Sequence, residues 1–190
     1  MLSRLSLFFI AIFFQLPLFI LHGLGELLGL VAYQFDRRFK ERIDANLKHA
    51  FISSDENNLK ELTQLSVREI GKCLTEAPAI WFNSPQKNFR WVKQCYGWQH
   101  VEAALKKKKG IIFLTPHLGC FEITAQYYAN YQPITVLFKR PKHNWLANIV
   151  LSGRRHSQVH LAEANLHGVK QLMQALKKGE AIGVLPDQVP

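Results

Sequence analysis

Cysteine is scarce in this chain, and the few that occur follow no pattern. Cys73, Cys95 and Cys120 are the three cysteines in 190 residues, and none stands in a CxxC pair. An odd number at wide spacing argues against a disulfide framework and against a cysteine-based zinc site. We therefore expect the folded part of the protein to lie in a reducing compartment.

The common motifs for a protein nucleophile and for metal ligation are also missing. No serine stands in a GxSxG turn, and no pair of histidines has HExxH spacing. A metal site built on His117 and Glu122 would need a third ligand. Four histidines remain as alternatives for that ligand: His143, His156, His160 and His167. We nevertheless predict no metal and no cofactor.

Acidic residues are outnumbered by basic ones. The chain has 14 Asp and Glu against 24 Lys and Arg, which gives a formal net charge of +10. Such an excess attracts nucleic acid, membrane headgroups or an acidic carrier protein without deciding between them. Because no nucleic-acid-binding module and no interleaved aromatic residues accompany the charge, we predict that nucleic acid is not a partner.

Charge is absent from one N-terminal stretch, the run from Leu5 to Leu21. As a helix, this run spans about 25 Å, and extension to Leu30 covers the roughly 30 Å hydrocarbon core of a membrane. Pro17 is expected to kink it. The basic cluster at residues 37–42 follows, so the positive-inside rule predicts a single-pass anchor with the remainder in the cytoplasm. A cleaved signal peptide and a buried core helix are the alternatives.

Residues 41–82 have the spacing of apolar side chains that is typical of helices. Three residues are candidates for a helix N-cap in this stretch: Ser53, Ser54 and Asp55. Asn83, Ser84 and Pro85 then interrupt the pattern. We therefore predict a helical membrane-proximal region at residues 31–96, after an anchor at residues 1–30.

One local pattern occurs twice in the second half of the chain. The segments VEAALKKKKGIIFLTPH and VKQLMQALKKGEAIGVLPDQ both have a helical stretch, lysines, a glycine, an apolar run and a proline. Lysines and glycine are typical of a helix C-terminus. Four stretches are predicted as strands: Ile111–Leu114, Ile134–Phe138, a weak Gln158–Leu161 and Ala181–Leu185. Their alternation with helices predicts an α/β core at residues 97–190, with a partly parallel sheet and flanking helices.

Polar residues follow three of these predicted strands. His117 follows the first strand, Arg140 the second and Asp187 the last. Since ligands of open α/β sheets bind beyond the carboxyl ends of the strands, we expect all three at one edge. Arg154 ends the helix after the second strand, and we expect it to return to this edge and to pair with a carboxylate, with Asp187 as the preferred partner.

His117 and Glu122 are the candidates for catalysis. An imidazole takes a proton from a hydroxyl near neutral pH, and a nearby carboxylate stabilises its charged form. We expect His117 within hydrogen-bonding reach of Glu122, or close enough for a small side-chain movement to bring it there, so that His117 activates a substrate hydroxyl for attack on an activated acyl group. Backbone N–H groups around Gly119 and Cys120 are candidates to hold the oxyanion. The alternative is that His117 is an ordinary surface histidine.

These residues also carry a resemblance. TPHLGCFE at residues 115–122 resembles the H-x4-D/E block of the glycerolipid acyltransferase superfamily, and in particular the TPHxGNWE form of bacterial lipid A biosynthesis acyltransferases. Four further segments resemble blocks of that family in the same order: RIDANLKHAF, YGWQHVEAALKKKKGIIFLTPH, FKRPKHNWLANIVLSGRR and GVLPDQ. Cys120 and Phe121 stand where the family form has Asn and Trp.

The resemblance implies a glycerolipid acyltransferase-like fold and a membrane-anchored enzyme at the bacterial inner membrane. Such an enzyme transfers a fatty acyl chain from an acyl carrier protein thioester to a hydroxyl of a lipid A precursor. By position, His117 is the implied base and Glu122 its partner, while Arg154 and Asp187 belong to the substrate site. Sugar phosphates suit Arg140 and Arg154. The resemblance also implies that the chain is truncated after the LPDQ segment.

Two alternatives to this function remain at the level of the sequence. One is an acyltransferase that acts on a lysophospholipid or on a glycolipid other than lipid A. The other is a membrane-bound protein that binds lipid or carrier without catalysis, for which the loss of His117 has no consequence.

Overall fold

The computed structural model describes residues 12–50, 55–154 and 158–187. The chain divides into two compact units, and the boundary between them lies between Ala79 and Ile80. The first unit is helical, and the second contains a sheet with its flanking helices. The structure is therefore a mixed α/β structure, as the sequence predicted.

Among the residues that the structure describes, the helices of the first unit from residue 18 onward are α1 at Leu18–Phe35, α2 at Arg37–Ala50 and α3 at Glu56–Phe82, whose last three residues belong to the second unit. Helix α1 begins directly after Pro17. Pro17 therefore precedes the start of a helix, where we had expected it to kink the middle of one. Proline fits the first turn of a helix but not its interior. By length and composition, α1 is apolar enough to cross a membrane. Residues 1–11 of the predicted anchor lie outside the described residues.

Helices α1 and α3 approach each other closely through glycines. A Cβ atom added to Gly71 would lie 2.0 Å from the carbonyl oxygen of Gly25, and one added to Gly29 would lie 2.3 Å from that of Val67. The Thr75 hydroxyl donates to the Leu21 carbonyl at 2.9 Å. Polar groups thus lie on the packed side of α1, whereas Phe19 and Phe35 are 75% and 82% exposed.

The predicted start and end of the long helix are confirmed in part. The Asp55 carboxylate accepts a hydrogen bond from the backbone N–H of Asn58 at 2.7 Å, which is an N-cap for α3. Ser53 and Ser54 lie outside the described residues. The predicted break after Phe82 also starts the next helix, since Ser84 caps α4 and Pro85 occupies its first turn.

The second unit contains a four-stranded sheet in the order β1-β4-β2-β3, and each pairing is parallel. The four predicted strands are confirmed within two residues at their ends. The elements in chain order are α4 Pro85–Trp91, α5 Trp98–Lys106, β1 Ile111–Leu114, α6 Glu122–Tyr128, β2 Ile134–Phe138, α7 Asn144–Arg154, β3 Val159–Glu163, α8 Leu166–Lys177 and β4 Ala181–Val184. Apolar side chains pack on both faces of the sheet, as expected for buried parallel strands.

The two copies of the repeated sequence pattern lie side by side. Strands β1 and β4 pair in parallel with Ile111 opposite Ala181 and Leu114 opposite Val184. Gly110 and Gly179, which precede these strands, both have φ near +80°, the left-handed conformation that favours glycine after a helix. Because the two strands end level, the residues that follow them emerge together at the carboxyl edge of the sheet.

Candidate active site

His117 and Asp187 are direct partners at this edge. The imidazole Nδ1 lies 2.8 Å from Asp187 Oδ1, and the backbone N–H of His117 donates to Oδ2 at 2.7 Å. One carboxylate therefore fixes both the ring and the backbone of the histidine. The prediction that His117 and Asp187 share the carboxyl edge is confirmed.

This contact indicates which ring nitrogen of His117 carries the proton. The hydrogen bond from the His117 ring, followed by the one from its backbone N–H, holds the pKa of Asp187 below its ordinary value of 3.8. Asp187 is therefore ionised near neutral pH and can only accept hydrogen bonds. The proton of a neutral His117 ring then lies on Nδ1, and Nε2 carries the lone pair that can accept a proton.

Glu122 lies in more buried surroundings. Its Oε2 atom accepts hydrogen bonds from Arg154 Nε–H at 2.9 Å and from Trp81 Nε1–H at 3.0 Å, and its Oε1 atom accepts from Arg154 Nη2–H. The Glu122 side chain is 8% exposed and that of Arg154 is 24% exposed. The arrangement is a two-point guanidinium–carboxylate pair, which fixes the orientation of the arginine as well as its charge.

The structure corrects the two pairings expected from the sequence. We expected Glu122 to orient His117, and Asp187 to be the preferred partner of Arg154. Instead Asp187 contacts His117, and Glu122 binds Arg154. The reason is the level register of β1 and β4, which brings residues 70 positions apart into contact. Nearness in sequence is therefore a poor guide to partners at this edge.

Arg140 and Gly119 are the other two candidates from the sequence. Arg140 Nη1 lies 3.3 Å from Glu163 Oε1 in an exposed ion pair, beside the outer strand β3. Gly119 has φ +56°, and a Cβ atom added there would meet nothing within 4 Å, so the position favours glycine for its backbone conformation alone. A substrate role for Arg140 and an oxyanion role at Gly119 stay predictions.

A cavity of about 860 Å³ opens at this edge and extends into the unit. His117, Glu122 and Arg154 contribute to its lining. Its deeper wall is apolar, and it includes Val101, Phe113, Tyr128, Ile134, Val136 and Leu161. This volume is within the range of small-molecule sites. An apolar cavity with a few convergent polar groups suits an amphipathic ligand with a long apolar part.

Trp81 is a site residue that sequence reasoning missed. It lies in the last turn of α3 inside the apolar segment APAIWF, where an aromatic residue predicts ordinary packing. No motif connects it with Glu122, 41 positions later. Among the described residues, no group of three or more His, Cys, Asp or Glu side chains is placed to hold a metal ion.

Comparisons with known proteins give a family and several relatives of this chain. A family model for bacterial lipid A biosynthesis acyltransferases matches residues 1–190. The lipid A biosynthesis lauroyltransferase of Escherichia coli K12 is 26% identical over 174 residues, which are 91% of this chain and 56% of that protein. The palmitoleoyltransferase of the same organism and an acyltransferase of Shigella flexneri are each 27% identical over 176 residues. The chain spans about half the length of these curated relatives.

Proposed function

Because the chain belongs to the bacterial lipid A biosynthesis acyltransferase family, we propose that it transfers a fatty acyl chain to a hydroxyl of a lipid A precursor. The proposed donor is an acyl carrier protein thioester. One observation carries the chemistry: Asp187 holds the Nδ1 side of His117, so Nε2 remains to accept a proton in the cavity. No protein nucleophile and no cofactor are needed for this reaction.

In the proposed reaction, His117 Nε2 takes the proton of the acceptor hydroxyl as the hydroxyl oxygen bonds to the thioester carbonyl carbon. The tetrahedral intermediate then collapses, the carbon–sulfur bond breaks, and the thiolate receives the proton from the imidazolium. Asp187 stabilises the imidazolium between these two steps. The products are an ester and a free carrier thiol, and His117 returns to its starting state.

Arg154 is the proposed binding group for the acceptor. Glu122 holds its Nε and Nη2 atoms, which fixes the plane of the guanidinium while other N–H groups remain for a ligand. A fixed guanidinium binds phosphate in a two-point geometry. The sugar phosphates of a lipid A precursor have this chemistry, and the apolar wall of the cavity suits the transferred chain.

We further propose that α1 is a single-pass anchor in the bacterial inner membrane and that the second unit is cytoplasmic, with a glycerolipid acyltransferase-like fold. The length and composition of α1 support the anchor, as do the outward-facing Phe19 and Phe35. Deleting residues 1–30 should release the protein from membranes, whereas high salt alone should not, because burial of apolar side chains is not screened by ions. Release of the intact chain by salt would contradict the anchor.

The experiment for the proposed function is a transfer assay with membranes that contain the chain. Radiolabelled acyl carrier protein thioester is supplied together with a lipid A precursor, a lysophospholipid or an unrelated glycolipid, and the product is identified by mass spectrometry. We expect acylated lipid A precursor. Product with the lysophospholipid alone would establish a different acceptor, and the absence of any product would contradict acyl transfer.

A further inference from the structure

Trp81 contacts both members of the Glu122–Arg154 pair. Its indole Nε1–H donates to Glu122 Oε2 at 3.0 Å, and the centre of the Arg154 guanidinium lies 5.5 Å from the centroid of its ring. The first contact is a charge-assisted hydrogen bond, and the second is within the range of a cation–π interaction. Trp81 thus acts on the carboxylate and on the cation through different parts of one side chain.

The end of α7 is shaped to fit against Trp81. Gly153, which precedes Arg154, is buried, and a Cβ atom added there would lie 2.3 Å from Trp81 Cβ and 2.8 Å from Cγ. Only glycine permits this approach without a shift of the tryptophan. The same approach places the next residue, Arg154, over the indole ring and beside Glu122.

The carboxylate of Glu122 has its hydrogen bonds divided between two residues. Arg154 donates to both of its oxygens, and Trp81 adds a donor to Oε2 from another direction. A nearly buried carboxylate needs donors for its oxygens in place of water, and each donor also restricts its rotation. The hydrogen bond from Trp81 therefore restricts a joint rotation of the Glu122 carboxylate and the Arg154 guanidinium. Trp81 is not among the described residues that line the cavity.

We propose that Trp81 is a positioning residue for the acceptor: it sets the place of the Arg154 guanidinium through Glu122 without touching the substrate. This inference rests on the proposed function, in which Arg154 binds a phosphate of the acceptor. It predicts that the hydrogen bond of the indole matters for acceptor binding, beyond the volume that the ring fills.

The test begins with Trp81→Phe, which keeps an aromatic ring and removes the N–H donor. We expect the KM for a phosphorylated lipid A precursor to rise about tenfold, which corresponds to roughly 1.4 kcal/mol. The kcat and the KM for the acyl donor should change less than twofold, because the lost contact acts on acceptor binding. Trp91→Phe is the matched control, since Trp91 is also half-buried and is not part of the site.

A double-mutant cycle separates positioning from a general packing defect. If Trp81 acts through Arg154, then Trp81→Phe should cause no further loss in an Arg154→Ala background. An equal loss in both backgrounds would overturn the proposal, and so would an unchanged acceptor KM in the single variant. Arg154→Lys, which keeps the charge but not the two-point geometry, serves if Arg154→Ala does not fold.

Direct binding keeps this test independent of turnover. The dissociation constant of the phosphorylated precursor should also rise about tenfold in Trp81→Phe, measured with the full chain in detergent. If the wild-type chain binds the precursor but transfers no acyl group, the proposed reaction fails while the role of Trp81 in binding stands. If Trp81→Phe binds as tightly as the wild type, the positioning role fails whatever the activity.

Discussion

The two carboxylates at the carboxyl edge of the sheet lie in different surroundings. The Glu122 side chain is 8% exposed and accepts hydrogen bonds from Arg154 and Trp81. The Asp187 side chain is 37% exposed, and it accepts hydrogen bonds from the ring and from the backbone of His117. The difference supports two different proposed roles: Glu122 holds the guanidinium of Arg154, whereas Asp187 holds the ring of His117.

The two pairs should therefore differ in how much stability is lost when one partner is removed. Exposed ion pairs contribute about 0–1 kcal/mol to stability. Removal of one partner from a buried pair leaves a charge without compensation and is more destabilising. Loss of Asp187 should then affect the reaction more than the fold, and loss of Glu122 should affect both.

The largest effect is expected for the base itself. His117→Ala should lower the rate of acyl transfer by about 10²- to 10⁴-fold, because general-base catalysis contributes that much. The measurement is the initial rate of transfer from acyl carrier protein thioester. His167→Ala is the matched control, since His167 is an exposed histidine on α8. Wild-type turnover in His117→Ala would show that His117 is not the base.

A smaller loss of rate is expected for the residue that orients the base. Asp187→Asn should lower kcat about tenfold to a hundredfold, at or below the lower end of the general-base range, while the free energy of unfolding changes little because the pair is exposed. An amide does not stabilise the imidazolium that forms during transfer as a carboxylate does. The initial rate of acyl transfer measures this, and a normal rate in Asp187→Asn would show that Asp187 does not orient the base.

Substitution of Glu122 should lower the stability of the protein more than substitution of Asp187 does. Glu122→Gln removes the charge opposite Arg154, and we expect the free energy of unfolding to fall by about 1–3 kcal/mol, with weaker acceptor binding. Glu163→Gln is the matched control, because it breaks the exposed pair with Arg140 and should cost about 0–1 kcal/mol. Chemical denaturation measures both variants.

Equal losses of stability in Glu122→Gln and Glu163→Gln would contradict the distinction between a buried and an exposed pair. An active, stable Glu122→Gln variant would also show that Arg154 keeps its position without the carboxylate. Either result would remove the difference between the two carboxylates on which the assignment of their roles depends.

The sequence predicted the strands and the shared edge because these depend on local patterns. The apolar runs at Ile111–Leu114 and Ile134–Phe138 match the observed strands, and parallel strands bring their carboxyl ends to one edge. The resemblance to the family is confirmed by the match over residues 1–190. The motifs therefore identified the family, while the roles of the individual site residues stay predictions.

The partners within the site were not predictable in the same way. His117 and Glu122 are five positions apart, which favoured a pair between them, but the partner of each depends on strand order and on register. Trp81 had no signal at all, because its contact with Glu122 depends on how the end of α3 lies within the second unit. Motif spacing carries no information about contacts of this kind.

The smallest effect concerns the titration of Asp187 itself. Its pKa is depressed, first by the hydrogen bond from the His117 side chain and then by the His117 backbone N–H. A depressed carboxyl pKa contributes stability above the ordinary value of 3.8, and this contribution is lost as the pH falls through the lowered pKa. His117→Ala removes the ring and keeps the backbone N–H. We therefore expect the pKa of Asp187 in this variant to rise toward, but not reach, its ordinary value. Titration of the Asp187 carboxyl carbon by NMR measures this, and an unchanged pKa in His117→Ala would show that the ring does not hold the carboxylate.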